Sequence, residues 1–269
     1  MHPAQRVLLA VVLTGFATAA SAEEPTALAM ARALYNEANY GGAIDAASVA
    51  RLDPAWADAS ALVIARSHLE RYRQLANPAD LAAARVALGA IRAGALRPRD
   101  QVDHLIGLGQ ALYLGELFGA AAELFDTALG RARLLDDRDR LMLLDWWATS
   151  LDREAQSRPA EGRGHVFERV LTRMESELQR DARNPVANYW LAVAARGTGN
   201  ADRAWDAAVA AWVRAALAPD AAEQLRMDLD RLVTQALIPE RARTRPADEQ
   251  DGAFATLQAE WELVKQQWK

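Results

Sequence analysis

The sequence predicts an all-α protein, and three observations support that prediction. About half of the 269 residues are hydrophobic, which is ample for a packed core. Alanine and leucine dominate this half and β-branched runs are few, a composition that favours helices over strands. The third observation is internal repetition, since one arrangement of small and aromatic residues occurs three times along the chain.

The clearest copy of the repeat is centred on Gly109. This glycine is small enough to let a second helix approach closely, and Gly115 marks a turn. Ala121, Phe125 and Ala128 are spaced by four and three residues, so they lie on one face of the second helix. The pattern therefore predicts two packed helices joined by a short turn.

Two further copies of the pattern lie earlier and later in the chain. The earlier copy consists of Met30, Ala31, Leu34, Tyr35, Tyr40, Ala43, Ala47 and Ala50, and the later copy of Leu191, Ala192, Ala195, Arg196, Gly199, Asn200, Ala204, Ala208 and Ala211. The copies are separated by about twice 40 residues, so each interval has room for one more helix pair. We expect these pairs in residues 55–96, broken at Asn77-Pro78, and 134–183, broken at Arg158-Pro159 and at the glycines of 162–164.

The three copies resemble the tetratricopeptide repeat, a helix–turn–helix unit with a small residue, an aromatic residue and an A-x-x-x-F knob. The resemblance implies an α-solenoid of about five helix pairs in a domain covering residues 23–218. The repeat length of about 40 residues departs from the usual 34.

The pattern changes after Pro219, and residues 219–269 are expected to form two capping helices. The first runs over Leu225–Leu237 and ends at Ile238-Pro239, and a charged linker follows in residues 241–250. The last helix begins near Asp251. Its apolar seam is only about two heptads long, so we expect it to pack on the preceding helices. The seam consists of Phe254, Leu257, Trp261, Val264 and Trp268.

Residues 1–22 have the pattern of a secretory signal peptide. Arg6 supplies a positive start, an apolar stretch runs from Val7 to Ala20, and Ala20-Ser21-Ala22 has the small residues that signal peptidase accepts. We therefore expect cleavage near Ala22 and a periplasmic or secreted protein. No other segment approaches transmembrane length, so no integral membrane segment is expected after cleavage.

Composition and motifs give no indication of an enzyme. Absence of cysteine excludes disulfides, thiol nucleophiles and zinc–thiolate sites. No metalloprotease, serine hydrolase or phosphate-loop motif is present, so we expect no catalytic residues, metal or cofactor. Acidic and basic residues are interspersed, with a formal net charge of −5, which does not favour nucleic acid as a partner.

Three local patterns receive structural interpretations. The neighbours Asp103 and His104 are expected to mark a helix start, because adjacent helical residues point about 100° apart. The acidic run at residues 136–140 is expected at a helix N-terminus. Gly162 and Gly164 are expected to form a turn, since no strand precedes them.

The tryptophans offer either core packing or a stacking surface. Trp205 and Trp212 are expected in the core between helix pairs. Trp146 and Trp147 point in different directions on one helix, so the sequence leaves open whether one of them is exposed.

The tetratricopeptide resemblance implies a concave groove, lined by the first helices of successive repeats, in which peptides lie. Carried over position by position, it gives the candidate partner-binding residues Arg32, Tyr35, Asn36, Asp103, Gln110, Tyr113, Tyr189 and Arg196. For the two equivalent tyrosines, Tyr35 and Tyr113, the alternative is that they only brace neighbouring helices.

The expected function is a periplasmic scaffold that binds a peptide or protein partner in the assembly of an envelope complex. One alternative is a self-associating subunit, a homo-oligomer joined through the C-terminal helix. A weaker alternative is a glycan or small-molecule binder that uses the tryptophans.

Overall fold

The computed structural model describes residues 24–268, which form helices joined by short loops, with no strand in this part of the chain. This confirms the all-α prediction. The predicted signal peptide, residues 1–22, lies outside the described residues. Residues 24–268 contain the α-helices α1 (Thr26–Asn36), α2 (Tyr40–Ala50), α3 (Ala57–Leu75), α4 (Pro78–Gly89), α5 (Pro98–Tyr113), α6 (Phe118–Leu129), α7 (Asp137–Ser157), α8 (Ala160–Arg180), α9 (Pro185–Gly197), α10 (Ala201–Arg214), α11 (Pro219–Leu232), α12 (Ile238–Arg243) and α13 (Gln250–Gln267).

The chain divides into two compact units, and the division falls inside α7. Unit 1 ends at Ser150, and unit 2 begins at Leu151. This division does not coincide with the boundary at residues 218/219 drawn from the sequence. In unit 1 the helices pack as the adjacent pairs α1–α2, α3–α4 and α5–α6, and in unit 2 helix α9 packs on both α8 and α10. The stacking of all pairs into a solenoid stays a prediction.

The first helix of each clear repeat ends in the same backbone turn. Its left-handed residue is Ala38, Glu116 or Gly199, with φ angles of 59°, 62° and 81°. In each turn the next N–H donates to the carbonyl oxygen five residues earlier, which together with the left-handed residue makes a Schellman C-cap. These bonds are Asn39 to Leu34 at 2.9 Å, Leu117 to Leu112 at 3.0 Å and Asn200 to Ala195 at 3.1 Å. The repetition in sequence therefore corresponds to a repetition of backbone geometry.

The small residue of each repeat is buried, as expected. A Cβ atom on Gly109 would lie 2.5 Å from the ring of Phe125, so only glycine fits beside that phenylalanine. At the corresponding positions the other repeats carry Ala31 with Ala47 and Ala192 with Ala208, all fully buried. The missing side chain at Gly109 thus makes room for the ring of Phe125, whereas the other two repeats have alanine at both positions.

The first helix pair inferred between clear repeats is confirmed as α3 and α4. Pro78 is the first residue of α4, where its missing N–H costs no helical hydrogen bond. The Asn77 side chain accepts a hydrogen bond from the N–H of Ala79 at 3.1 Å and caps the helix.

The second interval contains the helices α7 and α8, with a break at Arg158-Pro159 as predicted, and their packing as a pair stays a prediction. Gly162 and Gly164 lie inside α8, so the predicted turn at these glycines is wrong. Neither has a positive φ, and only Arg158 and Pro159 separate the two helices. At the start of α7, the carboxylate of Asp136 accepts from the N–H of Asp139 at 2.7 Å, which confirms a helix N-terminus there.

The predicted helix end at Ile238-Pro239 is wrong, because helical structure continues from α11 into α12. A proline inside a regular helix removes one hydrogen bond and clashes with the carbonyl four residues earlier. Here residues Val233–Leu237 form a wider π-helical turn, which accommodates Pro239 at the start of α12. The predicted linker 241–250 is therefore shortened to residues 244–249.

Candidate functional site

Five of the eight predicted partner-binding residues are buried within unit 1. They are Arg32, Tyr35, Asp103, Gln110 and Tyr113, with exposed fractions between 1% and 8%. Side chains that expose so little area offer almost no contact surface to another molecule. The expectation that these five are open to a partner is therefore wrong. Asn36, the sixth residue in unit 1, is exposed.

The charge of Asp103 is held in an ion network, defined here as Arg66, Arg99, Asp103 and Asp139. The Asp103 Oδ2 atom lies 3.6 Å from a terminal nitrogen of Arg66 and 3.4 Å from Nε of Arg99. Arg99 also donates to the carboxylate of Asp139 and, at 2.9 Å, to the carbonyl oxygen of Leu134. Within unit 1 the network connects α3, α5 and the start of α7.

Arg32 belongs to a second set of ion pairs at the start of the chain. Its guanidinium lies 3.3 Å from Asp100 and 3.1 Å from Glu24, measured between nitrogen and oxygen. Arg97 pairs with the same two carboxylates at 3.2 and 3.4 Å. Arg32 therefore joins α1 to α5 and has its charge neutralised inside the protein.

Burial of Asp103 and Arg32 opposes their charged forms and shifts the pKa of each side chain. Burial raises the pKa of Asp103, and the neighbouring Arg66 and Arg99 oppose that shift. Burial likewise lowers the pKa of Arg32 against the effect of Asp100 and Glu24. Buried ion pairs often gain little net stability, but removal of one partner leaves an uncompensated charge. The arrangement neutralises charge internally and leaves none for a ligand.

The two equivalent tyrosines brace neighbouring helices, which is the alternative left open by the sequence. The guanidinium of Arg66 lies 4.8 Å from the ring centre of Tyr35. The Tyr113 ring packs edge-on against Trp146 at 4.9 Å and against Phe118 at 5.2 Å. Both tyrosines therefore contribute to packing between helices.

The remaining two candidates lie on α9 in unit 2. Tyr189 is half-buried, with its ring 5.6 Å from that of Trp190. Arg196 makes a bidentate pair with Glu240 of α12, at 2.8 and 2.5 Å. Hydrogen bonding to Glu240 raises the pKa of Arg196. Arg196 thus connects α9 to α12, although its side chain remains 39% exposed.

The tryptophans divide differently from the sequence expectation. Trp146 and Trp147 are both buried, which answers the question left open for that pair. Trp212 is buried as expected. Trp205 is only half-buried, so its assignment to the core is wrong, and one side of it lines an open cavity.

His68 and His104 contact neighbouring residues inside unit 1. Asp103 and His104 lie in the middle of α5, which begins at Pro98, so their assignment to a helix start is wrong. His104 contacts the carbonyl oxygen of Leu88 at 3.1 Å, away from the ion network. His68 lies 2.7 Å from Asp80, and within residues 24–268 no three acidic or histidine side chains gather as a metal site.

An open cavity in unit 2 lies between α10 and α13, with a volume of about 450 Å³. Its walls are mainly apolar. Leu263 is 52% exposed, and Trp205 and Val264 are half-buried. We call this cavity the α10–α13 trough, and its lining consists of Trp205, Asp206, Val209, Ala210, Glu260, Leu263 and Val264.

A second, more polar cavity of about 860 Å³ lies along the same flank of α13. It shares Glu260 with the trough and extends to the turn between α9 and α10 and to the end of α12. Arg241 at its wall is paired with Asp202 at 2.8 Å and stacks 4.9 Å from the Trp205 ring. Its charge is therefore already compensated.

The buried side chain that holds α13 in place is that of Trp261, which is fully buried. Its ring lies 5.2 Å from that of Trp212 and 6.1 Å from that of Trp205. The indole N–H donates to Asp230 of α11 at 2.8 Å, and Lys265 donates to the same carboxylate oxygen at 2.9 Å. These contacts hold α13 against α10 and α11 beside the trough.

The predicted seam of α13 is buried only at this anchor. Leu257 and Val264 are half-buried, whereas Phe254 and Trp268 are 39% and 52% exposed. The expectation that α13 packs on preceding helices is confirmed for Trp261. The two ends of the seam remain open to solvent.

Two carboxylates at the rim of the trough have no ion-pair partner in the part of the chain that the structure describes. Asp206 and Glu260 are exposed, and neither side chain has a hydrogen bond or ion pair to another residue in 24–268. Sequence reasoning missed this site. The signal that indicates it is Leu263, an apolar residue off the seam of α13.

Comparison with models of protein families, with curated proteins and with solved structures finds no match to this chain. Among residues 24–268, no helix is both long enough and apolar enough to cross a membrane.

Proposed function

We propose that this protein is an exported helical-repeat scaffold that holds a segment of a partner protein in its α10–α13 trough. The observation that supports the proposal is an apolar cavity with a half-open wall, set between two helices that are held by a buried tryptophan. Exposed apolar surface bounded by polar residues is typical of interaction sites. Here Leu263 supplies such surface, and Asp206 and Glu260 supply the polar rim.

The dimensions of the trough suit one or two apolar anchor side chains. Its volume of about 450 Å³ lies in the range of ordinary ligand pockets, roughly 300 to 1,000 Å³. Interfaces gain most of their energy from a few such anchors in desolvated pockets. Helices that are already held in place also lower the entropy lost on binding, and Trp261 with its hydrogen bond to Asp230 holds α13 in this way.

The trough is a better candidate for the binding site than the predicted groove residues of unit 1, because those residues are buried and paired. The polar side chains that a peptide groove would offer there are engaged with one another, as Arg32 is with Asp100 and Arg99 with Asp103. Their recruitment by a partner would require breaking buried pairs, which costs several kcal/mol, about 3–5 for each. The trough offers contact surface without such a cost.

The cellular setting of the proposal rests on the sequence. The signal-peptide pattern of residues 1–22 supports export. The tetratricopeptide resemblance supports a role in assembling an envelope complex, by analogy of family rather than by the chemistry of the site.

One observation favours self-association as a second candidate. Phe254, Leu263 and Trp268 on α13 expose large apolar side chains, and a second copy of the chain would cover them. In that case the trough, or the surface beside it, is the interface between two identical subunits.

The test uses a matched pair of charge-introducing variants of the mature chain. Leu263→Glu places a carboxylate in the trough, and Val86→Glu places one on α4 at a side chain that is 75% exposed. Partners are captured from an envelope extract, identified by mass spectrometry and purified, and their affinities are then measured by calorimetry. We expect Leu263→Glu to weaken binding by about tenfold or more and Val86→Glu to leave it unchanged.

Equal affinities for the two variants would contradict the proposal. Light scattering on the same proteins identifies the second candidate. A dimer of the wild-type chain that dissociates in Leu263→Glu and persists in Val86→Glu would assign the trough to self-association.

A further inference from the structure

We infer that the occupant of the α10–α13 trough is a cationic amphipathic segment, with apolar side chains on one face and lysine or arginine beside them. This inference rests on the proposed function of the trough and adds the chemistry of what enters it. It is carried by the position of the two carboxylates relative to the apolar wall.

The apolar wall and the acidic rim lie within one helical turn of each other. On α10, Asp206 precedes Val209 by three residues, and on α13, Glu260 precedes Leu263 by three. Residues three apart are neighbours on a helix surface. Each helix therefore presents one acidic and one apolar side chain to the trough, and an occupant that matches both needs apolar and basic groups at the same spacing.

The charges around the trough leave a negative balance. Arg241 is compensated by Asp202, and Lys265 is held by Asp230 and Glu262 at 2.9 and 2.6 Å. Asp206 and Glu260 have no such counter-charge among residues 24–268. Arg245 belongs to the second, polar cavity and not to the trough lining.

Electrostatic complementarity sets which partners enter such a site. Like charges placed together at an interface are strongly unfavourable, and opposite charges raise the association rate and fix the register. An acidic or neutral segment would meet the two carboxylates without compensation. A basic segment satisfies them at the rim while its apolar face covers Val209 and Leu263.

The experiment uses two synthetic helical peptides of about 15 residues, acetylated, amidated and fluorescently labelled. One contains leucine on one face and lysine on the other, and its match has glutamate in place of every lysine. Affinities for the mature chain are measured by fluorescence anisotropy. We expect the leucine–lysine peptide to bind about tenfold more tightly than the leucine–glutamate peptide, with the difference shrinking as salt is raised.

Two double variants that remove the same number of negative charges distinguish the effect of the rim carboxylates on binding from the effect of the protein's net charge. Asp206→Asn with Glu260→Gln removes the rim carboxylates, and Glu223→Gln with Asp248→Asn removes two exposed carboxylates outside the lining. The rim variant is expected to lose about fivefold or more of its affinity for the leucine–lysine peptide. The control variant is expected to change by less than about twofold.

The outcomes distinguish the inference from the proposed function. If the glutamate peptide binds as well as the lysine peptide, and Leu263→Glu abolishes both, the trough binds but its occupant is not cationic. If the rim and control variants lose affinity equally, binding follows net charge and the inference is overturned. If neither peptide binds, or if binding ignores Leu263→Glu, the proposed function of the trough fails with it.

Discussion

The interior of unit 1 and the α10–α13 trough of unit 2 use charged residues in opposite ways. In unit 1, Arg66 and Asp103 are 2% and 1% exposed, and each is neutralised by neighbours within the protein. In the trough, Asp206 and Glu260 are exposed and have no partner in residues 24–268. The difference separates side chains that are committed to the fold from side chains that are available to another molecule.

The strongest test of this comparison is removal of a buried guanidinium. Arg66→Ala leaves Asp103 buried with only Arg99 beside it, so we expect the free energy of unfolding to fall by about 3–5 kcal/mol. Urea denaturation followed by circular dichroism measures the change. The double variant Arg66→Met with Asp103→Leu is expected to recover much of the loss. A loss equal to the sum of the losses in the two single variants, Arg66→Met and Asp103→Leu, would show that the two charges are not coupled.

A smaller loss is expected from Tyr113→Ala. This ring fills space between Trp146 and Phe118, so its removal leaves a cavity and costs about 3 kcal/mol. Tyr113→Phe keeps the ring and serves as the control, with an expected change below about 1 kcal/mol. A Tyr113→Ala protein as stable as the wild type would return this residue to the candidate binding surface.

The three Schellman turns hold equivalent residues in the same left-handed conformation. Exchange of the residue at such a position is expected to change the free energy of unfolding by about 1 kcal/mol. Gly199 has a φ of 81° with nothing within 4 Å of where a Cβ would lie, so Gly199→Ala tests backbone strain alone. We expect it to destabilise by about 1 kcal/mol, and Glu116→Gly at the equivalent turn to stabilise by less than that. Melting temperatures of both variants that move in the same direction would contradict the equivalence of the turns.

The smallest effect concerns pH and the anchor of α13. Burial works against the charge of Asp230, but hydrogen bonds from Lys265 and Trp261 lower the pKa of this carboxyl below its usual value. The contribution of Asp230 to the free energy of unfolding is therefore present above the unfolded pKa of about 4. It is lost as the pH falls through the lower pKa of the folded state. Because the side chain is partly exposed, we expect less than about 1 kcal/mol.

Asp230→Asn should remove this acid-dependent step and leave the stability curve above pH 6 nearly parallel to that of the wild type. The measurement is the melting temperature of both proteins between about pH 3 and pH 7. An acid-dependent loss that persists unchanged in the variant would assign the step to other carboxylates.

Much of the helical layout could be predicted because it is recorded in short-range patterns. The spacing of Ala121, Phe125 and Ala128 gives the buried face of α6, and Asn77-Pro78 gives the start of α4. The continuation through Pro239 could not be predicted, since it depends on a π-helical turn that propensity alone does not indicate.

The candidate site was predictable only in part. The sequence placed Tyr113 and Arg32 at first-helix positions but carried no information on their burial, which depends on distant partners such as Trp146 and Asp100. The trough joins α10 to α13 through Trp205 and Trp261, residues 56 positions apart. No local period connects residues at that separation, so the site required the structure.

Whether a partner binds in the trough or on unit 1 is tested most directly by its affinity for two variants, Leu263→Glu and Tyr113→Ala. Both are titrated at a temperature where circular dichroism shows them folded. We expect Leu263→Glu to keep its stability and to lose about tenfold or more in affinity, whereas Tyr113→Ala loses stability and binds like the wild type. A Tyr113→Ala protein that is folded but does not bind, beside a Leu263→Glu protein that binds normally, would move the site back to unit 1.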